Sequence, residues 1–558
     1  MPYLCRRKYL KPKFKIMTKF LLSLAILLSA LYAQAKNEPA PVFLVAGQSN
    51  TDGRVPNDEL PQYIRQGQYK HCHWSYGSGT LSGNGRFEPF WPKTALAHNP
   101  DRWAYDAVVN YFLDQSLGQD FYVIKESLGG TSIDPGATSN GGMHWSADPA
   151  FLDSTAAADK GGKSLLKAFT DNIGACIDNK LSKLEQGYEI KALIWHQGES
   201  DNKVGQKYHK NLKDVIAYIR KYLVEKTGDK KYAGLPVIVG GIVHSGKGWS
   251  NQVGLAQIRL ANEDKNVHLV DVHDATLRAD NLHFDAAGAE LLGRKVYNEL
   301  VALGLAGGKA SPVPYSEHSR LVKVGSGGAM MFADLPDAAT KPARAVVALP
   351  GGGYDHLAIS HEGTLWAKYF NDRGLAYFTL IYRMPDGDRT IPIGDAEAAI
   401  KMVRDSAEAW NIDPNGIGIM GSSAGGHLAS TIATHAAKAC RPDFQILFYP
   451  VITFVGKTHG GSRRHLLGKE ADNEALCREY SNELHVKRGD TPPAVVILAK
   501  NDMAVPPASN GVAYYNALKA AGIPATLIEY DEGGHGFGFK KSFKYHDQLL
   551  HDLGEWLK

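Results

Sequence analysis

Gly416-Ile417-Gly418-Ile419-Met420 followed by Gly421-Ser422-Ser423-Ala424-Gly425-Gly426 is the stretch that decides the fold of the second half of the chain. Five residues of strand-like apolar character run straight into a G-x-S-x-G turn. Glycines around the serine permit a tight strand-to-helix reversal that leaves Ser423 exposed at its tip. The helix beyond it points its positive N-terminal end at the same place. Outward from this turn the apolar runs Ala345–Leu349, Ala376–Ile381, Gln445–Phe448, Val495–Leu498 and Thr526–Tyr530 alternate with helical patterns at Asp395–Trp410 and Asn510–Ala521. Alternation of this kind predicts a mostly parallel sheet covered on both faces.

The first half has the same rhythm with different motifs. Its runs are Val42–Ala46, Phe121–Ile124, Ala192–Trp195, Val237–Val239 and Val267–Val270, and a helical pattern over Ala286–Leu303 closes the set. The Gly/Ala/Pro-rich segment from Gly304 to Pro314 ends the periodicity. At 558 residues the chain is too long for one core. The expected organisation is a leader over 1–35, an α/β domain over 36–305, a linker over 306–314 and a second α/β domain over 315–558.

Composition narrows the function classes. Apolar residues make up 44% and charged residues 22%, as in ordinary globular proteins. The formal charge of +4 arises in the leader, where Arg6, Arg7, Lys8, Lys11, Lys13, Lys15 and Lys19 meet no acid. Without these seven, 55 basic residues face 58 acidic ones. The rest of the chain therefore has no electrostatic case for nucleic acid. Phe20–Leu31 followed by Ala33-Gln34-Ala35 reads as an export signal, and Met17 is an alternative start. The expected location is periplasmic or secreted, with no stable membrane insertion after cleavage. Pairing of Cys72, Cys176, Cys440 and Cys477 stays open, and no Cys/His cluster suggests a metal.

Serine chemistry requires a base to take the proton and a carboxylate to orient that base. In the first half Gly47-Gln48-Ser49-Asn50 follows the first strand, and Asp280-Asn281-Leu282-His283 lies near the domain's end. Between them stand Leu128-Gly129-Gly130-Thr131 and Trp195-His196-Gln197-Gly198-Glu199-Ser200-Asp201, sources of backbone and amide donors. In the second half Leu349-Pro350-Gly351-Gly352-Gly353-Tyr354 precedes the Ser423 turn. Asn501-Asp502 and Gly533-Gly534-His535-Gly536-Phe537 follow later strands. Ser423, Asp502 and His535 thus stand in the order serine, acid, base.

Residues 40–303 resemble the SGNH hydrolases, a flavodoxin-like α/β/α group, and within them the carbohydrate esterases grouped with sialate O-acetylesterases and acetylxylan esterases. The resemblance implies Ser49 as nucleophile, His283 as base and Asp280 as its orienter. It also implies oxyanion donors from the Ser49 N–H, Gly129 or Gly130, and Gln197. Residues from about 315 to 558 resemble α/β-hydrolases of the acetylxylan and feruloyl esterase type. That resemblance implies a Ser423–His535–Asp502 triad with donors from Gly352 or Gly353 and from Ala424.

Together these readings imply a bifunctional exported esterase that needs no cofactor and acts on acetylated polysaccharide or oligosaccharide. The alternatives are a sialate O-acetylesterase, a ferulate-removing second domain, or one catalytic domain beside a non-catalytic carbohydrate-binding one. Trp74, Tyr76, Trp91, Trp103, Trp145 and Trp249 are candidate sugar platforms, although core packing is the commoner role for any one of them.

Overall fold

The computed structural model describes residues 38–94, 96, 99–315, 319–337 and 341–558. The leader lies outside the described residues.

The first domain is built on seven strands: β1 (Ala40–Gly47), β2 (Cys72–Gly77), β3 (Glu88–Pro89), β4 (Phe121–Ser127), β5 (Tyr188–His196), β6 (Val237–Gly240) and β7 (Val267–Val270). Their order in the sheet is β3-β2-β4-β1-β5-β6-β7. All neighbours are parallel except the edge pair β2–β3. Every residue of β1 is buried, as expected for a central strand with helices on both faces. Because β4 and β5 flank β1, the segments after these three strands emerge side by side at one end of the sheet. Open parallel sheets bind ligands at such an end.

β2 was not foreseen from sequence. Its Cys-His-Trp-Ser-Tyr-Gly run lacks the branched aliphatics that mark buried strands. Trp74, Trp103 and Trp145, candidate sugar platforms by sequence, are no more than 1% exposed and belong to the core. Trp91 is exposed.

The second domain carries eight strands: β8 (Ser319–Val324), β9 (Ala329–Asp334), β10 (Ala343–Leu349), β11 (Ala376–Ile381), β12 (Ile412–Ser422), β13 (Phe444–Phe448), β14 (Ala494–Ala499) and β15 (Ala525–Tyr530). They lie in the order β8-β9-β11-β10-β12-β13-β14-β15. The hairpin β8–β9 is antiparallel and joins the otherwise parallel sheet through β11. Its turn, Gly325-Ser326-Gly327-Gly328, is glycine-rich as hairpin turns are, and this hairpin lies outside the expected strands.

Residues 306–314 are fastened to the first domain. Asn298 bonds both the N–H and the carbonyl of Val313, Arg294 donates to Pro314 O, and Ser116 donates to Ala306 O. The domains also meet directly. His273, just beyond β7, lies between two carboxylates: its Nδ1 is 2.9 Å from Asp271 Oδ2 and its Nε2 is 2.9 Å from Asp334 Oδ1 at the end of β9. Beside it His244 Nδ1 stands 2.7 Å from Thr364 Oγ1. Burial opposes the His273 charge, but the two carboxylates hold its pKa well above the usual histidine range. Among the described residues all four cysteines are free.

Candidate active sites

In the second domain Ser423, His535 and Asp502 form a continuous hydrogen-bonded chain. Ser423 takes φ +52°, a conformation that a non-glycine residue adopts at a cost, at the junction of β12 and the helix Ala424–His435. The close packing that holds it there needs glycine. A Cβ on Gly425 would stand 2.0 Å from Leu349 O, and one on Gly421 would stand 2.2 Å from Gly425 O. Asp502 comes from the loop after β14 and His535 from the loop after β15. His535 Nδ1 is 2.7 Å from Asp502 Oδ2, and its Nε2 is 2.8 Å from Ser423 Oγ. The other Asp502 oxygen accepts the N–H groups of Ala504 and Val505, so the carboxylate is fixed from both sides.

The glycine loop lies directly over the serine. A Cβ on Gly351 would come within 2.9 Å of Ser423 Cβ. Gly351 N–H donates to Glu362, a buried carboxylate that also accepts from Tyr449 OH. Asp355 and His356 turn back to donate to Gly352 O, and His465 donates to Gly353 O. With these carbonyls engaged, no protein acceptor among the described residues takes the N–H of Gly352, Gly353 or Ala424. These three N–H groups are therefore unengaged among the described residues, as donors to a ligand need to be. Glu362 went unnoticed in the sequence because it stands 11 residues beyond the Gly351 that it anchors. His427, on the helix that follows Ser423, is buried between Tyr354 OH and Tyr480 O.

The first site brings its elements together less tightly. Ser49 opens a single helical turn, Ser49–Asp52, after β1 and is 3% exposed. Asp280 and His283 share one loop, and His283 Nδ1 lies 2.7 Å from Asp280 Oδ2. Burial works against the Asp280 charge. The N–H groups of His283 and Leu282 and the imidazole outweigh it and bring the carboxyl down to about 2. No hydrogen bond joins His283 to Ser49 Oγ among the described residues.

Asn50 holds the base loop in place. Its Nδ2 donates to Glu199 Oε1 at 2.8 Å and to Leu282 O at 3.4 Å, and its Oδ1 accepts Phe284 N–H at 3.1 Å. These contacts bracket His283 on both sides. Burial opposes the charge of Glu199, but His196 and Asn50 hold its carboxyl below the usual range. Asn50 adjoins Ser49 and Glu199 lies two residues beyond Gln197, so both stand beside residues expected in the site. Downstream, Asp285 caps the helix Ala286–Ala302 and fixes where the loop ends.

The Gly129-Gly130 loop lies against Ser49. A Cβ on Gly129 would stand 3.2 Å from Ser49 Cβ. Asn140 engages the carbonyls of both glycines, and no protein acceptor among the described residues takes either glycine N–H. Gln197 departs from expectation. Its amide nitrogen donates to Thr131 O at 3.1 Å and to Asp201 Oδ2 at 2.6 Å, which engages both hydrogens. Asp201 also accepts the N–H groups of Ile133 and Asp134. In this arrangement Gln197 braces the glycine loop and presents no free donor to Ser49.

Comparison with known proteins agrees with this division. Residues 157–302 match the family model of carbohydrate esterases described as sialic acid-specific acetylesterase. Residues 346–539 match the α/β hydrolase fold. The chain thus joins two α/β domains, and a different family model matches each. The esterase-family span includes Gln197, Asp280 and His283, and Ser49 precedes it. The α/β-hydrolase span includes the second constellation entirely.

Among relatives, an acetylxylan esterase of Xylanibacter ruminicola is 49% identical over 234 residues, covering 42% of this chain and 48% of its own length. Endo-1,4-beta-xylanase B of Butyrivibrio fibrisolvens is 36% identical over 209 residues, covering 34% of this chain and 32% of its own. A probable carbohydrate esterase of Arabidopsis thaliana is 34% identical over 110 residues, covering 19% and 38%. The chain spans about half the length, or less, of these relatives.

Proposed function

We propose that this protein is an exported, two-site carboxylic ester hydrolase that removes O-acetyl groups from a plant polysaccharide such as xylan. The observation that carries the reading is the continuous Ser423–His535–Asp502 chain beneath three unengaged N–H donors. Likeness to the acetylxylan esterase supports the choice of substrate. Among the described residues no helix is long and apolar enough to cross a membrane.

Each site works by the same steps. Serine Oγ attacks the ester carbonyl as its proton passes to histidine Nε2. The carbonyl oxygen becomes an oxyanion held by backbone N–H groups. Collapse expels the sugar alkoxide, which leaves as the alcohol with the histidine's proton. Water, deprotonated by the same histidine, then cleaves the acyl-enzyme and frees the acid and the serine. In the second site the roles are Ser423 nucleophile, His535 base and Asp502 orienter, with Gly352, Gly353 and Ala424 as donors. In the first they are Ser49, His283 and Asp280, with Gly129 and Gly130 as donors. Two tethered sites raise the local concentration of the second around the first product, which suits a polymer esterified at several positions.

One observation favours a second reading for the first domain. The family model that matches residues 157–302 is that of the sialic acid-specific acetylesterases. Identifying the acid released from acetylated xylan, feruloylated arabinoxylan and sialylated mucin separates the readings. Acetate from xylan alone is the expected result. Release from mucin alone would transfer the first site to sialate esters, and ferulate release would reassign the second.

A further inference from the structure

Two independent features meet beside Ser49. The Gln197 amide, the side-chain donor expected in the first site, is engaged by Thr131 and Asp201. Meanwhile the point at which a Gly129 side chain would begin is occupied by a guanidinium. A Cβ there would lie 2.0 Å from Arg54 Nη2 as well as 3.2 Å from Ser49 Cβ. Arg54 therefore reaches the same face of the glycine loop as the serine, and glycine at 129 leaves room for it.

The other end of Arg54 is anchored. Its Nη1 donates to Asp52 Oδ2 at 2.7 Å and to Gly53 O at 2.7 Å. Asp52 is itself buried and accepts from Tyr76 OH at 2.6 Å. One branch of the guanidinium is thus fixed. Nη2 has no acceptor within the protein among the described residues, and the side chain keeps 22% of its surface open to solvent. A planar guanidinium held by one nitrogen presents the other in a set direction, which a flexible ammonium does not. Oxyanion donors act through this kind of preorganisation.

We propose that Arg54 is a catalytic residue of the first site, its Nη2 donating a hydrogen bond to the oxyanion that forms when Ser49 attacks the ester. The proton stays on Arg54 throughout, and the bond strengthens as negative charge develops on the substrate oxygen. Asp52 and Tyr76 aim the guanidinium, and Gln197 and Asp201 hold the glycine loop against it. The inference rests on the esterase reading of the first site.

The test uses the full chain carrying Ser423→Ala, so that aryl acetate hydrolysis reads the first site alone. Arg54→Gln and Arg54→Lys are added to this parent, and each variant's melting temperature, kcat, KM and affinity for an alkylboronic acid, a tetrahedral mimic, are measured. Loss of one oxyanion donor costs about 10²–10³ in kcat. That loss is expected from both variants, with KM changed less than threefold and boronate affinity falling in parallel with kcat. Lysine can hold Asp52 and preserve the fold, but its single nitrogen cannot serve both ends. Arg54→Lys therefore reports even where Arg54→Gln destabilises the chain. An active parent whose Arg54→Lys variant keeps its kcat and boronate affinity overturns the proposal. A parent without any activity overturns the esterase reading of the first site, and the role of Arg54 with it.

Discussion

The two serines sit at equivalent places, each just beyond a central parallel strand, yet their surroundings differ in tightness. Ser423 is strained at φ +52°, and its triad comes from three separate loops joined by hydrogen bonds of 2.7 and 2.8 Å. The Asp502 side chain is 1% exposed. Ser49 occupies an ordinary helical turn, its base and acid share one loop, and the Asp280 side chain is 48% exposed. The same serine, histidine and aspartate set is thus held in two ways. The second site is aligned at rest by long-range packing. The first has a local Asp–His pair in a loop held by Asn50, and on the proposed function its hydrogen bond to Ser49 forms in the substrate complex. Catalytic hydrogen bonds commonly tighten only there.

The largest effect expected from this contrast is loss of the second activity on Ser423→Ala or His535→Ala. The cost should be on the order of 10⁶ in kcat, because triad members act as a unit. Either variant retaining the second activity would show that the Ser423–His535 pair does not carry it. The acids should separate the sites next. Asp502→Asn removes a buried orienter and is expected to cost about 10⁴ in kcat. Asp280→Asn acts in partial solvent, where water can compensate, and is expected to cost on the order of 10². Equal losses, measured in the matching single-site backgrounds, would show that exposure of the acid does not matter.

The interface should report on stability. His273→Gln leaves the Asp271 and Asp334 carboxylates facing each other, and breaking a buried pair in this way costs about 3–5 kcal/mol. The pH dependence has a definite sign. A histidine whose pKa is raised by folding contributes stability that is fully present below its unfolded value, about 6.5. That stability is lost as pH rises through the folded value. The melting temperature of the wild-type chain should therefore fall in alkali, and the gap to His273→Gln should narrow. A gap that is constant with pH would remove the charge from His273.

The smallest effect expected is that of Asn50→Ala, about tenfold in first-site kcat with the second site untouched. It loosens the His283 loop without removing a reacting group. Loss of both activities would show that the mooring is a general fold contact.

Much of this was legible in sequence. The parallel strands declared themselves through apolar runs, and Ser423, Asp502 and His535 through turns that follow those strands. What escaped depends on separation or on competition. Asp334 lies 61 residues from His273, and no local pattern links them. β2 escaped because its aromatic and polar residues imitate a loop. Gln197 carries the chemistry of an oxyanion donor, but chemistry does not reveal which acceptors already hold an amide. Arg54, five residues beyond Ser49, stood out only when space was found for it at Gly129.

Whether the chain has two independent ester-cleaving sites can be read by following acetylated xylan by NMR with Ser49→Ala, Ser423→Ala and the double variant. Each single variant is expected to leave a different subset of acetyl positions uncleaved, and the double variant to leave all of them. Complete loss from one substitution with no effect from the other would contradict the account, since only one domain would then be an enzyme.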